Sequence, residues 1–424
     1  MKNVCTSSAQ SLFDYSEVLN ENDKRLKNDE FAQSINSKNL LSDLFKAYYS
    51  ARKNKRRKNS QLEFEQNYEQ NIIDLWESIE NRSYHLLPST VFIKTKPVIR
   101  EVFAADFQDR IVHHYLFSIL SPIFEKDFIK DSYSCRKKKG TLYGINRVQG
   151  FLKQVHHSRS QAYILKLDIQ NYFYSLDRKI LFEIIAKKLE TEKILGYTKE
   201  TVLFLLEKVI FTDPTICVKK IGSLADWNKL PKSKSLFFAK QGKGLAIGNL
   251  TSQLFSNIYM NNLDHFIKDV LHIELYGRYV DDFVLVHPSK KYLKKCISKI
   301  QKFLYFYGLT LHPKKIYLQH YKKGVEFLGA FIKPWVKYAN TRIKKNVFSL
   351  VEKINMNLSD IKNKNFSPEN FIKTQQQVNS YLGVLSHYNT QNLRKKIIHQ
   401  FSPEFWCYFL CKSQPSYRII SANM

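Results

Sequence analysis

With 424 residues, 44% of them hydrophobic, the chain can bury a sizeable core and hold two or three domains or subdomains. Its 67 Lys and Arg against 38 Asp and Glu leave a net charge of +29 and a pI near 9.6, which points to a polyanion, either nucleic acid or an anionic membrane surface. No apolar run approaches the ~20 residues of a spanning helix and the amino terminus carries no apolar signal region, so the expectation is a cytoplasmic protein with no membrane partner.

Residues 1–40 are polar, with few apolar anchors. The densest positive run follows at Arg52, Lys53, Lys55, Arg56, Arg57 and Lys58. Such a run reads either as a solvated loop or as a phosphate contact, and the overall charge favours the contact. Leu62, Phe64, Tyr68, Ile72, Leu75 and Ile79 recur at near-helical spacing. Residues 91–94 and 98–103 read as a hairpin broken by Pro97, and 105–124 as a helix that stops or restarts near Pro122. A basic loop at 131–140, with Arg136, Lys137 and Lys138, leads into a helix over 145–155.

Residues 162–169 form a buried strand ending in Asp168, followed by helices from Asp177 to about 189 and over 196–211. The stretch 213–243, rich in Pro, Ser, Lys and Gly, reads as an irregular insertion, a kind of segment that is usually functional or mobile. A Gly-rich turn at 244–253 opens a long helix to about 270. Residues 275–286 then form a hairpin with Asp281 and Asp282 at its tip. An amphipathic helix (292–307), the turn 309–315 and two short strands around 325–332 follow, and from about 342 the pattern is helical to the end. The six cysteines are scattered, and Cys407 and Cys411 read as core rather than as zinc ligands.

Adjacent carboxylates repel unless a cation relieves them. Asp168 could meet Asp281 and Asp282 if their strands are neighbours, and three carboxylates so placed suit hard divalent cations such as magnesium. Two such ions stabilise the attacking and leaving oxygens of in-line phosphoryl transfer. With +29 of charge this argues for a nucleotidyl transferase. Aromatics, 14% of the chain, interleaved with basic surface would suit a groove for single strands or hybrid duplexes.

Tyr279-Val280-Asp281-Asp282 resembles the YxDD box of reverse transcriptases, and the surrounding blocks stand in that family's order. Residues 167–173 resemble the first carboxylate block, 247–253 the next, 311–315 the lysine-bearing block and Glu326-Phe327-Leu328-Gly329 the element after it. Residues 100–110 and 132–140 resemble the fingers blocks, and Tyr381-Leu382-Gly383 falls in a helical thumb. The resemblance runs over roughly 40–400, and is nearest to the enzymes of diversity-generating retroelements and to defence-associated "unknown group" reverse transcriptases, relatives of the group II intron enzymes.

This resemblance implies an α+β right-hand polymerase fold. A basic, mostly helical extension (1–85) would precede fingers and palm (86–341, with the insertion 213–243), and a helical thumb and tail (342–424) would follow. It implies that Asp168, Asp281 and Asp282 are catalytic and bind two Mg2+ ions, or Mn2+, with Ile169 beside them. Arg100 would meet the triphosphate, Lys315 would lie near it as a charge or proton donor, and Phe173 would exclude a ribose 2′-hydroxyl. Ile247, Gly248 and Gln253 would line the nucleotide site, and Arg52, Lys55, Arg56, Arg57, Arg136, Lys137 and Lys138 would hold nucleic acid. The expected ligands are dNTPs, template RNA and the cDNA product, with an accessory protein, a noncoding RNA or a second copy left open as partners. Ile247 and Gln253 depart from the family's QG…SP form, and loss of the polar side chain at 247 implies looser nucleotide positioning and reduced fidelity. Template-independent or protein-primed DNA synthesis in antiviral defence, and an inactive RNA-binding scaffold, are the alternative readings.

Overall fold

The computed structural model describes residues 40–53, 59–96, 98–158, 161–192, 199–216, 218–359, 368–412 and 417–422. It opens with α1 (Leu40–Arg52), α2 (Asn59–Glu65) and α3 (Tyr68–Glu80). Their apolar stripes, including Leu44, Tyr48, Phe64, Ile72, Leu75 and Ile79, are buried in the main core. The hairpin β1 (Thr90–Lys94) and β2 (Arg100–Ala104) leads to α4 (Phe107–Glu125), whose Phe107 meets Phe64 edge-on at 5.2 Å. Asp106 caps α4 by accepting the Gln108 N–H. Pro122 does not stop this helix, which continues to Glu125. The proline removes one helical hydrogen bond, and the buried Leu120 and Phe124 hold the last turn in place.

Then come α5 (Thr141–Ser158), β3 (Tyr163–Asp168), α6 (Tyr172–Ser175), α7 (Arg178–Thr191) and α8 (Lys199–Phe211). The insertion is more ordered than its composition suggests. It contains β4 (Lys219–Ile221), which pairs in parallel with β1, and the short helix α9 (Leu224–Asn228). The fully buried Glu101 on β2 accepts from Ser235 Oγ at 2.9 Å and from the Leu236 N–H. Leu236 packs with Val91, Phe103 and Ala246 in a small core of its own.

Helix α10 (Leu250–His265) is buried on most of its surface, and β5 (Leu275–Tyr279) and β6 (Asp282–His287) follow it. After α11 (Lys290–Phe306), β7 (Tyr317–His320) completes an antiparallel sheet in the order β5-β6-β3-β7. Strands β8 (Val325–Phe327), β9 (Ala330–Ile332) and β10 (Lys337–Ala339) make a second antiparallel sheet. The last region, α12 (Thr341–Ser359), α13 (Pro368–Ser386), α14 (Gln391–His399) and α15 (Pro403–Tyr408), closes over a separate core that includes Val347, Val351, Leu382, Leu385 and Phe405. It is not helical to the end. Strands β11 (Phe409–Lys412) and β12 (Arg418–Ser421) form a hairpin whose Phe409 and Ile419 enter that core, while Cys407 is exposed and Cys411 half-buried. No described helix is long and apolar enough to cross a membrane.

Candidate active site

Strand β3 ends on Asp168 because its buried residues, including Leu165 and Leu167, carry the chain through the core to one end of the sheet. The register sets Asp168 opposite Asp282, the first residue of β6, and Tyr279 also opposite Asp282. Val280 and Asp281 are therefore left as a two-residue turn. Val280 adopts φ 56°, where glycine is usual; a β-branched residue there stores about 1–3 kcal/mol of backbone strain.

A buried polar clamp holds this turn. Arg278, fully buried on β5, donates from Nε to Asp264 Oδ1 (2.7 Å), from Nη2 to Asp264 Oδ2 (2.6 Å) and from Nη1 to the Val280 carbonyl (3.0 Å). The Tyr276 hydroxyl also donates to Asp264 Oδ1 (2.6 Å). Ser134 Oγ accepts the Val280 N–H (3.3 Å) and donates to Asn257 Oδ1 (2.9 Å), while Asn257 Nδ2 donates to the Ser134 carbonyl (2.7 Å). Gly277 is required beside this clamp, because a Cβ there would lie 2.2 Å from the Tyr133 hydroxyl. None of these clamp residues stands out as a site residue in the sequence. The available signal was an arginine inside an apolar strand and an aspartate inside an apolar helix, each of which needs a partner when buried.

Burial and the nearby Asp168 charge push Asp281 up to about 6. Burial also pushes Asp282 up to about 7, with Lys166 opposing it and Asp281 adding to it. Lys166 Nζ lies 3.2 Å from Asp282 Oδ2, and Asp282 Oδ1 is buried with no partner. Lys315 Nζ donates to both oxygens of Asp168, at 2.9 and 2.8 Å. Its turn is tied down by the His312 N–H to the Asp168 carbonyl (2.8 Å) and by the Gln170 N–H to the Thr310 carbonyl (2.9 Å). Ile169 is buried in a bridge with Leu311.

Among the described residues no three His, Cys, Asp or Glu side chains form a ready-made metal cage. The donor set nevertheless fits a hard divalent cation, which can take few carboxylates and complete its shell from water and substrate phosphates. Two acids crowded enough to raise a pKa, and an orphaned carboxylate oxygen, are what a cation would relieve.

The other sequence-derived residues gather unevenly. Arg100 opens β2, where burial lowers its pKa and the charges of Tyr174 and Asp281 oppose that shift. Phe173 is half-buried on α6, just after Asn171 in a left-handed conformation (φ 49°), and its carbonyl accepts the Leu245 N–H (2.8 Å). The Ile247 carbonyl accepts the Phe103 N–H (2.8 Å), which ties this block to the strand of Arg100. Gly248 has φ 130°, and a Cβ there would lie 2.2 Å from the Phe103 carbonyl oxygen, so the close approach requires glycine. Gln253 sits in the first turn of α10.

The basic residues divide. Arg136 is not a surface contact: its side chain is 5% exposed, pairs with Glu125 Oε1 at 2.7 Å and donates to the Ile129 and Ser132 carbonyls. Its guanidinium is used up inside the loop. Arg52 is held by Glu65 at 2.9 Å and lies over the Tyr48 ring, so it braces α1 against α2. Lys137 and Lys138 are exposed, whereas Lys55, Arg56 and Arg57 lie outside the described residues, as does the amino-terminal stretch through residue 39.

The family described as reverse transcriptase (RNA-dependent DNA polymerase) matches residues 94–332, more than half of the chain. The chain belongs to the reverse transcriptase family. That family is one of RNA-directed DNA polymerases, and its right-hand fold of mixed helices and sheets is the one described above. The chain is similar to Protein YkfC of Escherichia coli (strain K12), 23% identical over 303 residues that cover 62% of this chain and 72% of that protein. Among solved structures it is similar to apo telomerase from Candida tropicalis truncated from the C-terminal domain, with TM-score 0.43, 15% identity and 64% of this chain covered. A Candida albicans telomerase in complex with a fragment of telomeric RNA has TM-score 0.42 and 14% identity, and the match covers 80% of this chain and 69% of that one. The chain spans 60% of the length of the truncated Candida tropicalis telomerase.

Proposed function

We propose that this reverse transcriptase copies a noncoding or element-encoded RNA into cDNA by two-metal nucleotidyl transfer, in a diversity-generating retroelement or an antiphage defence system. One observation carries the chemistry: Asp168 and the Asp281–Asp282 turn, far apart in sequence, meet at one end of a single antiparallel sheet. Magnesium, when bound, would stabilise the attacking and leaving oxygens. Asp168, Asp281 and Asp282 would hold it, with the Ile169 backbone alongside. Lys315 would shift from Asp168 to the nucleotide's phosphates or supply a proton, and Arg100 would receive the triphosphate. Phe173 would close the sugar side, with Ile247, Gly248 and Gln253 next to the base pair being formed. Fingers and palm would lie within 86–341 and the thumb within 342–424, behind the extension 1–85. Lys137 and Lys138 remain candidates for template or product backbone.

The test is primer extension by the full chain on a defined RNA template, with Asp281→Asn/Asp282→Asn beside wild type. Template-dependent DNA synthesis lost in the double variant is the expected result. Synthesis that persists in the variant, or that proceeds equally without template, would overturn the proposal. Sequencing the nucleic acid that copurifies with the protein separates the retroelement and defence settings, because a retroelement template carries its own repeat.

A further inference from the structure

The insertion and the segment just after Asp168 enclose a basic recess of about 290 Å3. Asn171 and Ser175, a few residues beyond Asp168, form one wall, and Lys232, Ser233, Phe238 and Lys240 form the other. Lys232 and Lys240 are exposed, and Phe238 is 62% exposed with the Lys232 ammonium 5.4 Å from its ring centre. Lys243, also in the wall, is engaged by Asp177 at 3.3 Å.

A lysine-rich loop is usually a solvated surface, and three features argue otherwise here. The segment is anchored, through β4 on β1 and through the buried Glu101 under Ser235 and Leu236. Its charge is one-sided, since Lys219, Lys220, Lys229, Lys232, Lys234, Lys240 and Lys243 are set against two acids, Asp213 and Asp226. It also leaves Phe238 exposed beside the Lys232 ammonium, whereas its other rings, Trp227 and Phe237, are half-buried and share Lys220. An exposed ring beside a cation offers a π-face to a base, and the lysines offer positive charge to the flanking phosphates. Bases within a duplex are stacked already, so the ligand that matches is unpaired.

We propose that the insertion is a single-strand binding site, in which Phe238 stacks on an unpaired base while Lys232 and Lys240 hold the adjoining phosphates, in a recess that Asn171 and Ser175 also line. This rests on the chain acting on nucleic acid, and it adds a site formed by the insertion.

The test is fluorescence anisotropy of the full chain with short labelled single-stranded RNA and DNA, and with a blunt duplex, over a salt series. Phe238→Ala is expected to weaken single-strand binding about five- to hundredfold, with little effect on the duplex, and Phe238→Tyr to restore most of it. Lys232→Ala/Lys240→Ala is expected to reduce the slope of log affinity against log salt by about 1.4. Unchanged single-strand affinity in both variants would overturn the site. So would an equal loss on the duplex, a rise only in the dNTP KM (a free-nucleotide site), or loss only of a copurifying protein (a protein-docking face). A wild-type chain that binds single strands through Phe238 yet extends no primer would refute the polymerase reading and leave this site standing.

Discussion

Replacing Arg278 by Met tests whether the clamp, rather than the sheet alone, positions the Asp281–Asp282 turn. The substitution leaves the Asp264 carboxylate fully buried with only the Tyr276 hydroxyl, and removes the donor to the Val280 carbonyl. Breaking a buried ion pair from one side costs about 3–5 kcal/mol. For a chain of this size that is a fall in Tm of roughly 3–6 °C. Adding Asp264→Leu removes the stranded charge, and a buried pair exchanged for apolar groups is often neutral, so the double variant is expected to recover most of the lost Tm. It should not recover activity, because the strained Val280 turn still lacks its donor, and a displacement of about 1 Å at reacting groups costs about a hundredfold in rate. The assays are thermal unfolding and single-turnover nucleotide addition on one template-primer. Full rescue of both by the double variant would refute the clamp, since Asp264 and Arg278 would then matter only to each other.

The raised pKa values make stability pH-dependent. Asp281 and Asp282, at about 6 and 7 in the fold against about 4 unfolded, contribute stability that is complete below about pH 4 and is lost as pH rises through about 7. In chelator, Asp281→Asn should therefore raise Tm by about 2–4 °C at pH 8 and hardly at all at pH 4; an equal rise at both would contradict the burial argument. Lys315→Ala should leave Tm nearly unchanged, because the lysine is 54% exposed, but should slow nucleotide addition by about ten- to a hundredfold; an unchanged rate would remove Lys315 from the site. Phe173→Ala should raise the ratio of ribonucleotide to deoxyribonucleotide incorporation on an RNA template, and no change would mean that the ring serves only packing. Ile247→Gln should lower misincorporation, and equal error rates would show that the apolar residue does not loosen nucleotide positioning.

Local signals were legible wherever one face of an element is buried. The 275–286 hairpin, the strand ending at Asp168 and the helix before Pro122 were readable for that reason. Misreadings came from distant partners. Arg136 in its basic loop reads as a nucleic-acid contact, yet it turns back to Glu125. Strand β4 has three residues and pairs with β1, more than a hundred positions earlier, so composition alone suggested an irregular loop. Strands β11 and β12 are short and follow a helix whose pattern masks their alternation.

The sequence by itself determined the family and the order of its blocks, and named Asp168, Asp281 and Asp282 as candidate site acids, because these lie in local patterns of strand, turn and charge. Only the tertiary structure decided how the acids are held. Register across the sheet brings Asp168 opposite Asp282, and Lys315 reaches Asp168 from a later turn. A buried Arg278 needs Asp264, which lies on another element. A carboxylate's pKa and an arginine's partner depend on what surrounds them in space, and a linear pattern does not carry that information.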